Sequence, residues 1–231
     1  MNTSSNTYTI VYASILVIIV AFMLAFLSSI LKERQDNNVR LDKKRQILSS
    51  LNINTRGQDI AALYNKYIKQ DIIINSNGET IAESGGFDVD VRAENARRLE
   101  DRRLPVYIAE VDGNKKYILP VRGKGLFGGI WGFIALEADR NTIFGTFFSH
   151  DSETPGLGAE IAGNDFQNRF IGKHILNESG KFVSVAVKKA GQFADGQDQV
   201  DALTGGTITS NRVSEMLESG LGQYAAFLSQ K

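Results

Sequence analysis

The C-terminal part of the sequence is organised around residues 201–210, which read DALTGGTITS. After them, apolar residues recur every three or four positions, at Val213, Met216, Leu217, Leu221, Tyr224, Phe227 and Leu228. This period is typical of a helix with one buried face, and Thr209 or Ser210 is its expected N-cap. Two glycines before a helix let a ligand approach the backbone, and free N–H groups there favour an anion such as phosphate. An ordinary capped helix after a loop would show the same residues.

Two further glycine-containing segments precede this one. Residues 153–158 read ETPGLG, and residues 123–128 read GKGLFG, which matches the dinucleotide-binding pattern G-x-G-x-x-G. A dinucleotide-binding turn leads into a helix, whereas residues 129–134, GIWGFI, predict a strand. The sequence therefore argues against a dinucleotide-binding fold, and it leaves residues 153–158 as a loop that could lie along a flat ligand.

The motifs at residues 153–158 and 201–210 together resemble the NqrC family, which belongs to the sodium-translocating NADH:quinone oxidoreductase, and the related G component of the Rnf complex. The resemblance extends over most of the chain, and it departs from the family motif in having Thr204 for serine and Gly206 for alanine. It implies that FMN is attached through its phosphate to Thr207. It also implies that the flavin is bound by Glu153, Thr154, Leu157, Gly158, Leu203, Thr204, Gly205, Gly206 and Thr209. Leu157 is expected against the ring.

Two lysines, Lys188 and Lys189, follow the apolar run 182–187. A lysine ammonium is a compact charge that can bind phosphate. We expect Lys188 to bind the flavin phosphate, although an ordinary surface lysine fits the sequence equally well.

The composition excludes several kinds of function. The 26 basic residues balance the 26 acidic ones, so no basic surface indicates binding to nucleic acid. Cysteine is absent, which excludes disulfides and iron–sulfur clusters held by this chain. The only histidines, His150 and His174, are far apart in sequence and do not predict a metal site or a catalytic triad.

Residues 10–31 contain no charged side chain. At ~1.5 Å per residue this segment spans a hydrocarbon core of roughly 30 Å, and it predicts a transmembrane helix in contact with membrane lipid. A cleaved signal peptide is disfavoured because the apolar run is long and no lysine or arginine precedes it.

Charge and family resemblance disagree about the side on which the domain lies. Basic residues follow the apolar segment at Lys32, Arg34, Arg40, Lys43, Lys44 and Arg45. The positive-inside rule places this flank in the cytoplasm. The resemblance implies the opposite, a large domain on the periplasmic side of the bacterial inner membrane, and we adopt that expectation.

The predicted fold is α+β, with one N-terminal transmembrane helix followed by a domain with an antiparallel sheet and flanking helices. We expect a tail over residues 1–9, the transmembrane helix over 10–31, an amphipathic stalk and linker over 32–57, and a covalent-FMN-binding domain over 58–231. Within the domain the sequence predicts helices near residues 60–68, 90–100 and 160–170. It predicts a hairpin over 71–82, strands over 106–111, 117–122, 130–138 and 142–148, and a buried strand over 182–187.

The resemblance implies an electron-carrying component of a membrane complex that oxidises NADH, reduces quinone and transports sodium ions. Its partners would be subunits A, B, D, E and F and, during maturation, a flavin transferase. Two alternatives remain: the G component of an Rnf-type ferredoxin:NAD oxidoreductase, which shares the fold and the flavin, and a membrane-anchored sensor module. The second is disfavoured because the sequence contains no output domain.

Overall fold

The computed structural model describes residues 5–230, and the chain divides into two units between Lys43 and Lys44. Helix α1, Asn6–Ser50, makes up the described part of the first unit and ends within the second. Its large apolar side chains over residues 10–31 are exposed. Among the described helices it alone is long and apolar enough to cross a membrane. The predicted transmembrane segment therefore lies within one continuous helix.

The second unit is built on a six-stranded antiparallel sheet. Its strands are β1 (Ile68–Ile74), β2 (Thr80–Ala82), β3 (Leu104–Val111), β4 (Asn114–Lys124), β5 (Gly129–Leu136) and β6 (Ile143–His150). Their spatial order is β2-β1-β3-β4-β5-β6, so β3 to β6 form a meander. The predicted hairpin and the predicted antiparallel strands are confirmed.

Both faces of the sheet are covered because apolar residues occupy both alternating positions of the central strands. In β4, Tyr117, Leu119 and Val121 belong to one apolar cluster, and Ile118 belongs to a second cluster. The first cluster includes helix α5 (Thr207–Gly222) and helix α6 (Ala225–Leu228). The second includes the end of α1 and helix α2 (Ile60–Tyr67). The domain therefore has three layers, with the sheet between two layers of helices.

Two of the predicted helices are wrong in extent. The prediction over 90–100 becomes helix α3 (Val91–Asn95) and a 3-10 turn at Leu99–Asp101, because the Arg102 guanidinium donates to the carbonyls of Arg97 and Asn95. The prediction over 160–170 becomes helix α4 (Asn164–Gln167) between 3-10 turns at Gly158–Ala162 and Asn168–Phe170. Gly163 interrupts that helix because its backbone is extended, with φ −77° and ψ 144°.

The predicted strand over 182–187 is also wrong in extent. Strand β7 covers Ala186–Lys188 and pairs in parallel with β8, Gln199–Asp201, which the sequence did not predict. The chain before β7 is not extended because Ser184 has a left-handed φ of 63°. The amides of Val183 and Ser184 both donate to the Ile175 carbonyl instead of to a neighbouring strand.

Helix α5 packs unusually close to β4 through a glycine on each element. A Cβ on Gly123 would lie 2.8 Å from Cβ of Met216, and a Cβ on Gly220 would lie 2.9 Å from Cγ1 of Val121. Side chains at these two positions would push the helix away from the sheet. The two glycines therefore set the height at which α5 lies above β4.

We predict that Gly220→Ala destabilises the domain although alanine favours helix formation. The new methyl group overlaps Val121, and overpacking of a core costs about 1–3 kcal/mol, more than the ~1 kcal/mol that alanine gains over glycine in a helix. Gly222→Ala is the matched control, because a Cβ there would meet Phe182 at an ordinary 3.4 Å. Thermal unfolding of the full chain, followed by Trp131 fluorescence, should show a lower midpoint for Gly220→Ala only. Equal midpoints for both variants would contradict the packing argument.

Candidate functional site

Helix α5 begins at Thr207, and its N-cap is Gly206. The prediction that Thr209 or Ser210 is the N-cap is therefore wrong. Both side chains are engaged elsewhere: the Thr209 hydroxyl donates to Oε2 of Glu153 at 2.5 Å, and Oγ of Ser210 accepts the Leu203 amide at 3.0 Å. No side chain caps the start of α5, so the N–H groups of its first turn face outward for a ligand.

A cavity of about 320 Å³ opens at this helix start. Three segments form its wall: the turn after β4, the loop after β6 and the beginning of α5. The lining residues are Leu126, Phe127, Glu153, Thr154, Leu157, Gly158, Gly205, Gly206, Thr207, Ile208 and Thr209. The structure thus brings the two predicted glycine-containing motifs, 153–158 and 201–210, to one cavity.

The Glu153 carboxylate connects these three segments. Its Oε1 accepts the Phe127 amide at 3.0 Å, and its Oε2 accepts the Thr209 hydroxyl. Its own amide donates to Nδ1 of His150 at 3.2 Å. The residue is only 4% exposed. A buried charge is costly unless hydrogen bonds compensate it, and these donors supply that compensation.

Burial raises the pKa of Glu153, but hydrogen bonds oppose it. The Thr209 hydroxyl and the amides of Phe127, Leu126 and Gly128 hold the pKa below its usual value of 4.5. The 2.5 Å distance from Thr209 is typical of a hydroxyl that donates to an ionised carboxylate. Glu153 is therefore negatively charged at neutral pH.

Glycines allow the loop after β6 to lie against α5. A Cβ on Gly158 would lie 2.7 Å from Oε2 of Glu153 and would also overlap Oγ1 of Thr209. A Cβ on Gly206 would lie 3.0 Å from the Leu157 carbonyl oxygen. Gly205 has a left-handed φ of 76°. These positions need glycine because of close approach and backbone conformation.

The hydroxyl groups of the 201–210 segment differ in their accessibility. Thr209 is 2% exposed and Ser210 is fully buried, and both are hydrogen-bonded. Thr204 and Thr207 are exposed. Of these two, Thr207 is the first residue of α5 and lines the cavity. A ligand in the cavity could therefore be attached to Thr207 without displacing an existing hydrogen bond.

Of the other predicted site residues, Thr154 lines the cavity, whereas Leu203, Thr204 and Lys188 do not. The Thr154 carbonyl accepts the amides of Leu157 and Ala159 and so shapes the loop. Leu203 packs beside Gly206. Lys188 lies in β7 and is not among the residues that line the cavity, and its contact with the phosphate stays a prediction.

Leu126, Phe127 and Ile208 line the cavity but were not predicted as site residues. They are 45%, 65% and 54% exposed and lie together at the cavity. A group of exposed apolar side chains is a feature of binding and interaction sites. Two of the three residues, Leu126 and Phe127, lie within the glycine pattern over residues 123–128. That pattern predicts a turn, but it does not predict that the turn lies beside the loop at residues 153–158.

A larger and more open cavity, about 740 Å³, lies near Asn141, His174 and Asp198. Two of its polar residues are paired with each other: the Asp198 carboxylate accepts the His174 amide at 2.7 Å and lies 3.0 Å from Nδ1 of the His174 ring. It contains none of the residues of the two motifs. The smaller cavity is therefore the candidate site, despite its size.

Comparison with known proteins assigns the same region to a flavin-binding family. Residues 125–222 match the family described as FMN-binding domain. That range includes the turn after β4, the loop after β6 and the whole of helix α5. The three segments that form the cavity thus all fall within the matched region.

Relatives extend the match over nearly the whole chain. The NqrC protein of the Na(+)-translocating NADH-quinone reductase of Pseudomonas aeruginosa is 31% identical, over 98% of this chain and 96% of the relative. Its Haemophilus ducreyi counterpart is 28% identical, over 97% and 95%.

Solved structures agree with this match. The crystal structure of the corresponding protein from Parabacteroides distasonis is 45% identical, has a TM-score of 0.81 and covers 87% of this chain and 98% of that one. The Shewanella oneidensis NqrC structure has a TM-score of 0.69 at 26% identity, over 83% and 96%. The chain therefore belongs to the NqrC family of the Na(+)-translocating NADH-quinone reductase.

Proposed function

We propose that this chain carries FMN on Thr207 through a phosphoester bond and relays single electrons within a sodium-translocating NADH:quinone oxidoreductase. The observation that carries the proposal is the position of Thr207, whose exposed side chain is on the first residue of α5 and in the wall of the cavity. Family membership supports an FMN-carrying subunit of that complex. The covalent bond and the role in sodium transport are our inference.

The cavity fits the two parts of FMN. Uncapped N–H groups at the start of α5 suit a phosphate because the helix dipole is positive there. Leu126, Leu157 and Ile208 offer apolar surface for a flat ring. A volume of about 320 Å³ lies within the range of small-molecule sites. The close approach at Gly158 and Gly206 holds the loop after β6 against the start of α5, so that both contribute to one wall of the cavity.

Attachment to Thr207 needs help from outside the chain. A threonine hydroxyl is a weak nucleophile at neutral pH, and the carboxylate in the cavity, Glu153, already accepts a hydrogen bond from Thr209. We infer that a flavin transferase activates Thr207 and uses FAD with a divalent metal ion. Oγ1 of Thr207 would bond to the FMN phosphorus and the phosphoanhydride bond of FAD would break. AMP would leave with the bonding electrons, and the hydroxyl proton would pass to a base of the transferase.

When bound, FMN supplies the capacity to accept and release one electron at a time. The start of α5 would hold it, and the apolar side chains of Leu126, Leu157 and Ile208 would lie beside it. We infer that NADH oxidation, iron–sulfur centres, quinone reduction and the sodium path belong to the other subunits, A, B, D, E and F. This chain would connect them as an electron carrier.

We further propose that residues 10–31 of α1 span the bacterial inner membrane and that residues 58–231 form the FMN-binding domain on the periplasmic side. The exposed apolar side chains of residues 10–31 support the span. Large domains cross membranes with little regard to flanking charge, so the basic residues after the span do not decide the side. We assign the domain to the periplasmic side because the chain belongs to this family.

We predict that Thr207→Ala abolishes covalent flavin, whereas Thr204→Ala retains it. Both side chains are exposed, but only Thr207 lies in the cavity wall. The full chain, co-expressed with a flavin transferase, should fluoresce under ultraviolet light after denaturing electrophoresis. Fluorescence that survives in Thr207→Ala, or disappears in Thr204→Ala, would contradict the assignment.

We predict that Gly158→Ala disturbs the site without preventing attachment. The added methyl group overlaps Thr209 and Glu153 and pushes the loop away from α5, whereas Thr207 stays accessible. The expected result is normal in-gel fluorescence with a shifted flavin reduction potential. Gly156→Asn is the control, because Gly156 has φ 74°, which asparagine tolerates, and open space around it. Loss of attachment in Gly158→Ala, or an unshifted potential, would be evidence against this role of the loop.

Membrane topology can be tested with reporters fused after residue 231. Alkaline phosphatase requires the oxidising periplasm, so the periplasmic assignment predicts an active phosphatase fusion. A reporter that requires the cytoplasm should be inactive at the same position. The reverse pattern would show that the basic residues after the span determine the orientation.

A further inference from the structure

Glu153 is the one charged side chain among the described residues that line the cavity. Both of its oxygens are fixed, Oε1 by the Phe127 amide and Oε2 by the Thr209 hydroxyl. An amide N–H only donates, so Oε1 must be an acceptor. The carboxylate charge therefore occupies a fixed position in the cavity wall.

Basic side chains lie nearby but outside this cavity. Lys124 and Arg212 line a neighbouring cavity of about 330 Å³ that shares Leu126 with the first. Arg212 is paired there with Glu215, at 2.5 Å between Nη1 and Oε2. The hydrogen-bond partners of the Glu153 carboxylate are a hydroxyl and an amide group. Because both are neutral, they stabilise the negative charge without neutralising it.

A fixed charge in a partly buried site acts strongly on other charges, because the effective dielectric constant is far below that of water. Adding an electron to a bound flavin adds negative charge, and a neighbouring carboxylate raises the free energy of that charge. We propose that Glu153 acts as a fixed negative charge that lowers the reduction potential of the flavin held in the cavity. This inference rests on the proposed function, since it requires flavin in this cavity.

The same residue also holds the loop to α5, so the experiment must separate charge from geometry. Glu153→Gln removes the charge and keeps the shape, because the amide oxygen still accepts from Phe127 and the amide nitrogen can donate to Thr209. Thr209→Val keeps the charge and removes one hydrogen bond. Asp151→Asn is the matched control: Asp151 is exposed, lies outside the cavity lining and accepts the Gly129 amide of the same β4–β5 turn at 3.1 Å.

Covalent flavin is measured first, by fluorescence after denaturing electrophoresis, and the one-electron potentials of the loaded chains are then determined by redox titration. Glu153→Gln should have a clearly more positive potential than the wild type. Thr209→Val should shift by less than half as much, and Asp151→Asn should not shift. A loaded Glu153→Gln chain with the wild-type potential would overturn the proposal, as would an equal shift in Thr209→Val.

A second variant tests the charge if Glu153→Gln does not fold. Phe127 is 65% exposed at the cavity mouth, and its amide contacts Glu153. Phe127→Lys should therefore raise the potential by offsetting the carboxylate charge, whereas the neutral control Phe127→Gln should raise it less. Equal potentials in these two variants would overturn the proposal. A wild-type chain without covalent flavin would instead contradict the proposed function, and the inference would fail with it.

Discussion

The hydrogen bond from the Thr209 hydroxyl to the Glu153 carboxylate joins the start of α5 to the loop after β6, and the geometry of the cavity depends on it. Hydrogen bonds to charged groups contribute about 1.5–3 kcal/mol, and removal of one partner from a buried charge costs more than the bond itself contributes. The Phe127 amide extends this connection to the turn after β4. One ionised side chain thus holds together three segments that are distant in sequence.

The position of Thr207 follows from the packing of the core. Gly123 and Gly220 allow α5 to lie close to β4, and the buried residues Val213, Met216 and Leu217 fix its rotation. The start of the helix is then held by Thr209 and by the Ser210 contact with the Leu203 amide. Thr209 and Ser210 are buried and hydrogen-bonded, whereas Thr207, the first residue of the helix, is exposed and lies in the cavity wall. The proposed attachment at Thr207 therefore depends on contacts made by neighbouring residues of α5.

Much of this arrangement could be predicted from the sequence. Alternating apolar residues and turn residues predicted the antiparallel meander, and the helical period predicted the buried face of α5. Short elements were predicted less well, since Gly163 interrupts one helix and Ser184 adopts a left-handed conformation that no local pattern indicates. Contacts with distant parts of the chain determine the backbone conformation at these two residues.

The candidate site was predicted as two motifs, but not as one connected structure. The N-cap prediction failed because Thr209 bonds to a residue 56 positions away, which sequence spacing cannot reveal. Leu126 and Phe127 were missed for the same reason, since only the fold brings their turn beside residues 153–158. The phosphate contact of Lys188 was predicted from its charge, and the fold places this residue in β7, outside the cavity lining. Contacts between segments distant in sequence thus account for most of the differences.

Peptide mass spectrometry tests the central claim most directly. Trypsin releases residues 190–212 as one peptide, which contains Thr204, Thr207, Thr209 and Ser210. After co-expression with a flavin transferase, this peptide should carry one FMN joined through its phosphate, and fragmentation should assign it to Thr207. An unmodified peptide, or FMN on Thr204, would contradict the account.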